Sequence, residues 1–186
     1  MPFQAPNPRP AGGNPGRSTG HPRSAPAAGL LPRAADARSA LRRAFAAASV
    51  AWAIILPLAP FAASRPRGGP IVFGFAYGAY AIGSFICHQL PARSFRLWSA
   101  PLPVCARCAG IYAGAAVAAA LGLTGLLRAK LAAATFARRI LVVAAMPTAA
   151  TLIYEWTTGD MPANWVRALA GAPLGAAVAW IVGEVD

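Results

Sequence analysis

All three cysteines of the chain and one of its two histidines fall within one stretch, Cys87 to Cys108, reading CHQLPARSFRLWSAPLPVCARC. A C-x2-C pair can chelate one metal ion in a small ring, and a second pair from an adjoining turn completes a tetrahedral set. Three thiolates and an imidazole, from Cys87, His88, Cys105 and Cys108, suit zinc. Cys87 and His88 are adjacent, without the usual two-residue spacer, so both reach one ion only if the backbone turns sharply between them. Arg93, Arg96 and Arg107 lie near enough in sequence to offset a thiolate-rich centre and to lower thiol pKa values.

The same side chains support a second chemistry. A C-x2-C at a helix N-terminus favours the thiolate and disulfide exchange, with Cys105–Cys108 as the active pair and Cys87 as the shuttle thiol of a quinone-linked oxidoreductase. A c-type haem does not fit, because Ala109 follows the second cysteine of the pair where that attachment needs histidine. Buried packing would explain scattered cysteines; these are gathered at the ends of two apolar runs. Other enzyme classes find no support: no paired carboxylates lie inside an apolar run, no phosphate-binding glycine loop is present, and no serine–histidine–aspartate set can be assembled.

The elements that carry these residues are apolar. Of 186 residues, 57% are hydrophobic and only 12% charged, and the mean hydropathy is +0.50. That is too little charge to cover a water-soluble globule, and a soluble all-α protein would show polar helix faces. The expected fold class is an all-α, polytopic membrane helical bundle of about five transmembrane helices, over residues 44–63, 71–87, 104–127, 140–156 and 165–182. The first run lies behind 43 residues and is long for a signal peptide.

Residues 1–43 differ in kind. Proline, glycine, serine and arginine dominate them without apolar periodicity, so they are expected to form a disordered basic tail, with His21 solvated and idle. Such a tail sets orientation or touches anionic headgroups; no aromatic-interleaved basic fold accompanies it, so nucleic acid is not an expected partner. The bilayer is, with a membrane-protein partner or a second copy as further expectations.

With the N-terminus cytoplasmic and five crossings, Arg33, Arg38, Arg42, Arg43, Arg93, Arg96, Arg107 and Arg167 fall inside and the C-terminus outside. Arg65, Arg67, Arg128, Lys130, Arg138 and Arg139 then fall outside, four of them in one connection. The Cys/His stretch becomes a cytoplasmic link. At about 100° per residue, Tyr80, Gly83 and Cys87 share one face of the second run, and Cys105, Cys108 and Tyr112 one face of the third. Four-residue spacings of small residues (Gly74 and Gly78; Gly110, Gly114, Ala118 and Gly122) mark packing ridges, the latter expected to meet Gly171 and Gly175. Arg167, one turn into the fifth run, is expected to pair with Glu155 or Asp160, or to join Gln89, Arg93 and Arg107 in a polar pocket behind the ligands.

CHQLPARSF, PVCARCAGIYAG and NWVRALAGAPLG together resemble the bacterial membrane-protein family catalogued as domain of unknown function 2085. The resemblance covers about residues 80–183. It implies that Cys87, His88, Gln89, Pro91, Arg93, Ser94, Phe95, Cys105, Arg107, Cys108, Gly110, Tyr112, Gly114, Arg167 and Gly171 are motif positions, and that the chain sits in the bacterial cytoplasmic (inner) membrane. It implies no activity.

Overall fold

A computed structural model describes residues 34–65, 67–124 and 134–184. Five helices form: α1 (Ala34–Ala63), α2 (Pro70–Ile86), α3 (Ala106–Thr124), α4 (Ala134–Thr158) and α5 (Asn164–Glu184). A 3-10 turn at Pro91–Arg93 and two short antiparallel strands, β1 (Arg96–Leu97) and β2 (Ala100–Pro101), occupy the link between α2 and α3. Each of the five apolar runs thus forms a helix within its described residues. Most of the expected tail, including His21, lies outside the described residues, but its last ten positions open α1. The reason is local: alanines, Leu41 and arginines are strong helix formers, and Asp36 sits in the first turn, where the helix dipole favours a negative charge.

The tightest packing joins α3 to α5. A Cβ on Gly110 or Gly114 would overlap the carbonyl oxygens of Ala168 and Ala172, and one on Gly171 or Gly175 those of Arg107 and Ile111. These pairs ascend together in number, so the two helices run parallel. The ridge on α3 therefore meets α5 as expected, backbone to backbone, which is how helices associate where lipid removes the hydrophobic drive. Gly74 and Gly78 on α2, and Gly122 on α3, face open space, so the expected ridge on α2 packs against nothing described in this chain.

The remaining contacts fix directions. Ala46 clusters with Ala118, Ala119 and Ala179; Trp52 stacks edge-on against Tyr112; Leu56 packs on Leu102 and Val104; Phe61 meets Trp98. Hence α1 is antiparallel to α3. On α4, Phe136 meets Trp180 and the Thr148 hydroxyl donates to the Ala170 carbonyl at 2.7 Å, so α4 is antiparallel to α5.

The five helices differ in length. Four helices are long and apolar enough to cross a membrane, while α2 is a shorter apolar helix of 17 residues. Both ends of α2 lie at the cysteine end of the bundle. Its first turns face Leu58, Phe61 and Ala62 of α1. Its last turns meet the hairpin: Gly83 abuts the Pro103 carbonyl so closely that a Cβ would overlap it, and the Tyr80 hydroxyl donates to the Pro101 carbonyl. A crossing helix would instead have ended beside Ala46. The N-terminal half of α1 and the C-terminal half of α5 share one end, as the Ala46–Ala179 cluster requires, where opposite ends were expected.

The seam predicts a contrast among glycines. Gly114→Leu and Gly175→Leu should lower stability by about 1–3 kcal/mol or prevent folding, since the added side chain meets backbone that cannot yield. Gly74→Leu and Gly78→Leu should change it by about 0.5 kcal/mol or less. Unfolding of each variant in detergent micelles checks the difference.

Candidate functional site

Local backbone brings the thiols together. α2 ends where Cys87 turns extended (φ −151, ψ 144) while its N–H still donates to Gly83 O. Gln89 then takes a left-handed conformation (φ 48), which costs about 1–3 kcal/mol for a residue with a Cβ. Its side chain offsets that cost, donating to Tyr80 O at 2.6 Å and Pro103 O at 2.7 Å. Gln89, expected behind the ligands, is thus the clamp between the end of α2 and the approach to α3. The hairpin turns at Trp98 and Ser99, both at positive φ, as a tight two-residue turn between strands requires. Leu102 N–H donates to Phe95 O at 2.8 Å, and the chain re-enters at Pro103 and Val104, both fully buried.

Cys105 follows directly. Its backbone N–H donates to Cys87 Sγ at 3.2 Å. The sulfurs of Cys87, Cys105 and Cys108 all lie within 4.8 Å of one another, and each cysteine is half-buried and free. Cys105, just ahead of α3, is held below the usual thiol range, chiefly by hydrogen bonding from the Cys108 side chain, with the Cys108 backbone, Cys87 and the Arg167 charge adding to it against desolvation.

His88 does not join this group: the mutually close ligand atoms are the three sulfurs alone, and the His88 side chain is exposed. The chain bends at Cys87, yet this bend leaves the exposed His88 side chain outside the sulfur group. The expected set of three thiolates and an imidazole is therefore a set of three thiols among the described residues.

Beside the thiols lies a second constellation. Glu155, on α4, is buried and is approached by three arginines: Arg107 Nη2 at 2.7 Å from Oε1, Arg167 Nε at 3.1 Å from the same oxygen, and Arg93 Nη1 at 3.7 Å from Oε2. Arg107 also donates to Thr151 Oγ1 at 3.1 Å. Arg167 is 1% exposed, and its Nη1 lies 3.5 Å from Asn164 Oδ1. Asn164 in turn donates to Ser94 O at 3.2 Å, tying the start of α5 to the cysteine link. Neither Arg107 Nε nor Arg167 Nε makes a hydrogen bond among the described residues; for Arg167 the 3.1 Å approach to Glu155 is an ion pair without hydrogen-bond alignment.

Of the two carboxylates expected opposite Arg167, Glu155 takes the role and Asp160 is exposed. Arg96 lies exposed on β1, away from this cluster. Sequence reasoning missed that one carboxylate gathers three guanidiniums from three separate segments. It also missed Trp52, whose buried indole N–H has no partner and whose ring packs with Tyr112 near Cys87 and Cys108. A lone tryptophan within an apolar run carries no signal that distinguishes it from core.

The family model described as a predicted membrane protein, DUF2085, matches residues 87–181, the segment from the first cysteine through α5. The uncharacterized protein MJ1492 of Methanocaldococcus jannaschii is 55% identical over 38 residues, 20% of this chain and 24% of that protein. The chain thus matches about a quarter of that relative's length. The relative is archaeal, so likeness to this chain is not confined to bacteria. No solved structure matches the chain significantly.

The arginine cluster predicts an asymmetric response to mutation. Glu155→Ala should destabilise the fold by about 3–5 kcal/mol, because it strands Arg107 and Arg167 as buried, uncompensated charges. Arg93→Ala, at a side chain 39% exposed, should cost about 1 kcal/mol or less. Thermal unfolding of purified protein in detergent measures both.

Proposed function

Because the chain belongs to the DUF2085 family of predicted membrane proteins, we propose that it is a multi-pass protein of the cytoplasmic membrane whose Cys87, Cys105 and Cys108 hold a soft metal ion, with zinc the best match. The convergence of three sulfurs from two chain segments within 4.8 Å carries this reading. Tetrahedral zinc at about 2.3 Å from each sulfur needs sulfurs about 3.8 Å apart, a small adjustment from that arrangement. The N–H of Cys105 supports Cys87 as a thiolate, and the guanidinium surplus around Glu155 supplies the compensating charge. The ion's role is to staple the end of α2 to the start of α3, which shapes the hairpin for a partner protein or a second copy. Its fourth position falls to a ligand other than cysteine.

The reading includes an orientation. The end that holds the N-terminal half of α1 also carries Arg38, Arg42, Arg43, Arg138 and Arg139, with Arg128 and Lys130 in the adjoining stretch of sequence. The cysteine end offers the exposed Arg65, Arg67 and Arg96 and the half-buried Arg93. By the positive-inside rule the first end is cytoplasmic. Arg138 and Arg139, which five crossings would strand outside, fall inside on this reading, and the cysteines face outward.

That orientation favours a second reading, a thiol–disulfide centre, since disulfide chemistry belongs to the oxidising side of the membrane. Sequential alkylation of intact membranes separates the two. For a metal centre, labelling of Cys105 and Cys108 should be slow and should accelerate after chelation, and purified protein should carry about one zinc per chain that is lost in C105S/C108S. For a redox pair, labelling should need a reductant and ignore the chelator. Thiols that label rapidly under every condition would remove both. Orientation has its own check: cysteines placed at Gly69 and Ser99 should both react with a membrane-impermeant maleimide added from outside, whereas a crossing α2 would expose only one.

A further inference from the structure

We infer that Arg93, Arg107 and Arg167 form a binding site for a phosphate group, with Arg107 and Arg167 as its floor and the half-exposed Arg93 at its mouth. Three guanidiniums against one carboxylate leave a surplus of two positive charges in a place where Arg167 is 98% and Glu155 96% buried by side chain. Such a surplus persists only with a counter-charge, because an unpaired ion removed from water is among the costliest groups a membrane protein can hold. The N-termini of α3 and α5, parallel and side by side, add the positive ends of two helix dipoles at this point. Arg107 Nε and Arg167 Nε, both buried, donate to no acceptor among the described residues.

The chemistry that fits is an oxyanion with several acceptor atoms. A guanidinium donates in a planar fork that matches phosphate oxygens two at a time, and Arg93, only 39% exposed, can close over a group held from below. The site stands on the arginines whether or not the thiols hold metal. Three thiolates around a divalent ion would supply one negative charge, which still leaves one positive charge unmatched. Exposed Trp156 and Trp165 flank it on α4 and α5. Tryptophans of that kind sit at headgroup depth, so the phosphate can come from a phospholipid headgroup or from solution.

Two measurements on the purified full-length chain test this and identify the source. Native mass spectrometry after exchange into phosphatidylglycerol-containing micelles reads lipid retention, and thermal unfolding against inorganic phosphate reads free-anion binding. One retained phosphatidylglycerol, without response to inorganic phosphate, identifies the headgroup; a saturable rise in melting temperature with phosphate identifies the soluble ion. In either case Arg93→Gln should weaken binding by about tenfold or more, as expected for one lost charge-assisted hydrogen bond, with Arg93→Lys intermediate. Arg93 is partly exposed, so these variants keep the fold even if Arg167→Gln does not. Wild-type protein that retains no phospholipid and ignores phosphate overturns the inference, as does binding unchanged by Arg93→Gln. Zinc content is scored separately: phosphate binding in a zinc-free chain upholds the arginine site, and zinc without phosphate or phospholipid overturns it while leaving the thiol centre intact.

Discussion

The parallel seam between α3 and α5 is the contact on which the other features depend. Its first crossing, Gly171 against the Arg107 carbonyl, sets the distance between the two helices at the level where Arg107 and Arg167 turn inward. Glycine on both sides lets backbone meet backbone, the closest approach two helices can make. Two arginines on one helix pair then reach the same carboxylate oxygen. A wider seam would leave one of them without a partner. The same parallel arrangement places both helix N-termini at one end, so the electrostatic character of the site follows from packing before any ligand is considered.

α4 is held by a different kind of force. Glu155 is the one buried residue among its described side chains; the rest of the helix offers lipid an apolar surface. In a bilayer that surface gains little by facing protein instead of acyl chains, so polar contacts decide where the helix docks. Thr148 on the Ala170 carbonyl, Thr151 beside Arg107, and Glu155 amid the arginines make up such a set. A carboxylate that reads in sequence as a boundary charge is the main attachment of a whole helix.

Much of the fold was legible in the residues. Five apolar runs read as five helices, and the four-residue spacing of Gly110, Gly114, Gly171 and Gly175 announced the seam, because glycine repeats at that period have few other uses in a hydrophobic helix. The cysteine cluster was legible for a similar reason: three thiols at the ends of consecutive runs have little to do apart. What the residues did not disclose has a common cause. Hydropathy reports whether a segment tolerates lipid, and α2 does; it does not report direction, which the contacts of Tyr80 and Gly83 with the hairpin decide. Likewise His88 was grouped with Cys87 by adjacency, while the His88 side chain is exposed and only the three sulfurs converge. The three-arginine cluster was out of reach because its members are spread over α3, α5 and the cysteine link, with their shared carboxylate on α4.

The order of the chain gives the thiol cluster a history. Cys87 leaves the ribosome 18 residues ahead of Cys105, an interval of roughly 1–4 s at ordinary rates of synthesis. Its backbone donor, its two sulfur neighbours and the clamp from Gln89 to Pro103 are not yet made. During that interval Cys87 is a solitary thiol at the end of a helix that has only α1 to pack on, open to any oxidant or stray metal on its side of the membrane. Arg167 arrives later still, after α4 has been made. The hairpin between Arg96 and Pro101 is therefore the element that ends the exposure, because closing it delivers the C-x2-C pair to the sulfur that has been waiting for it.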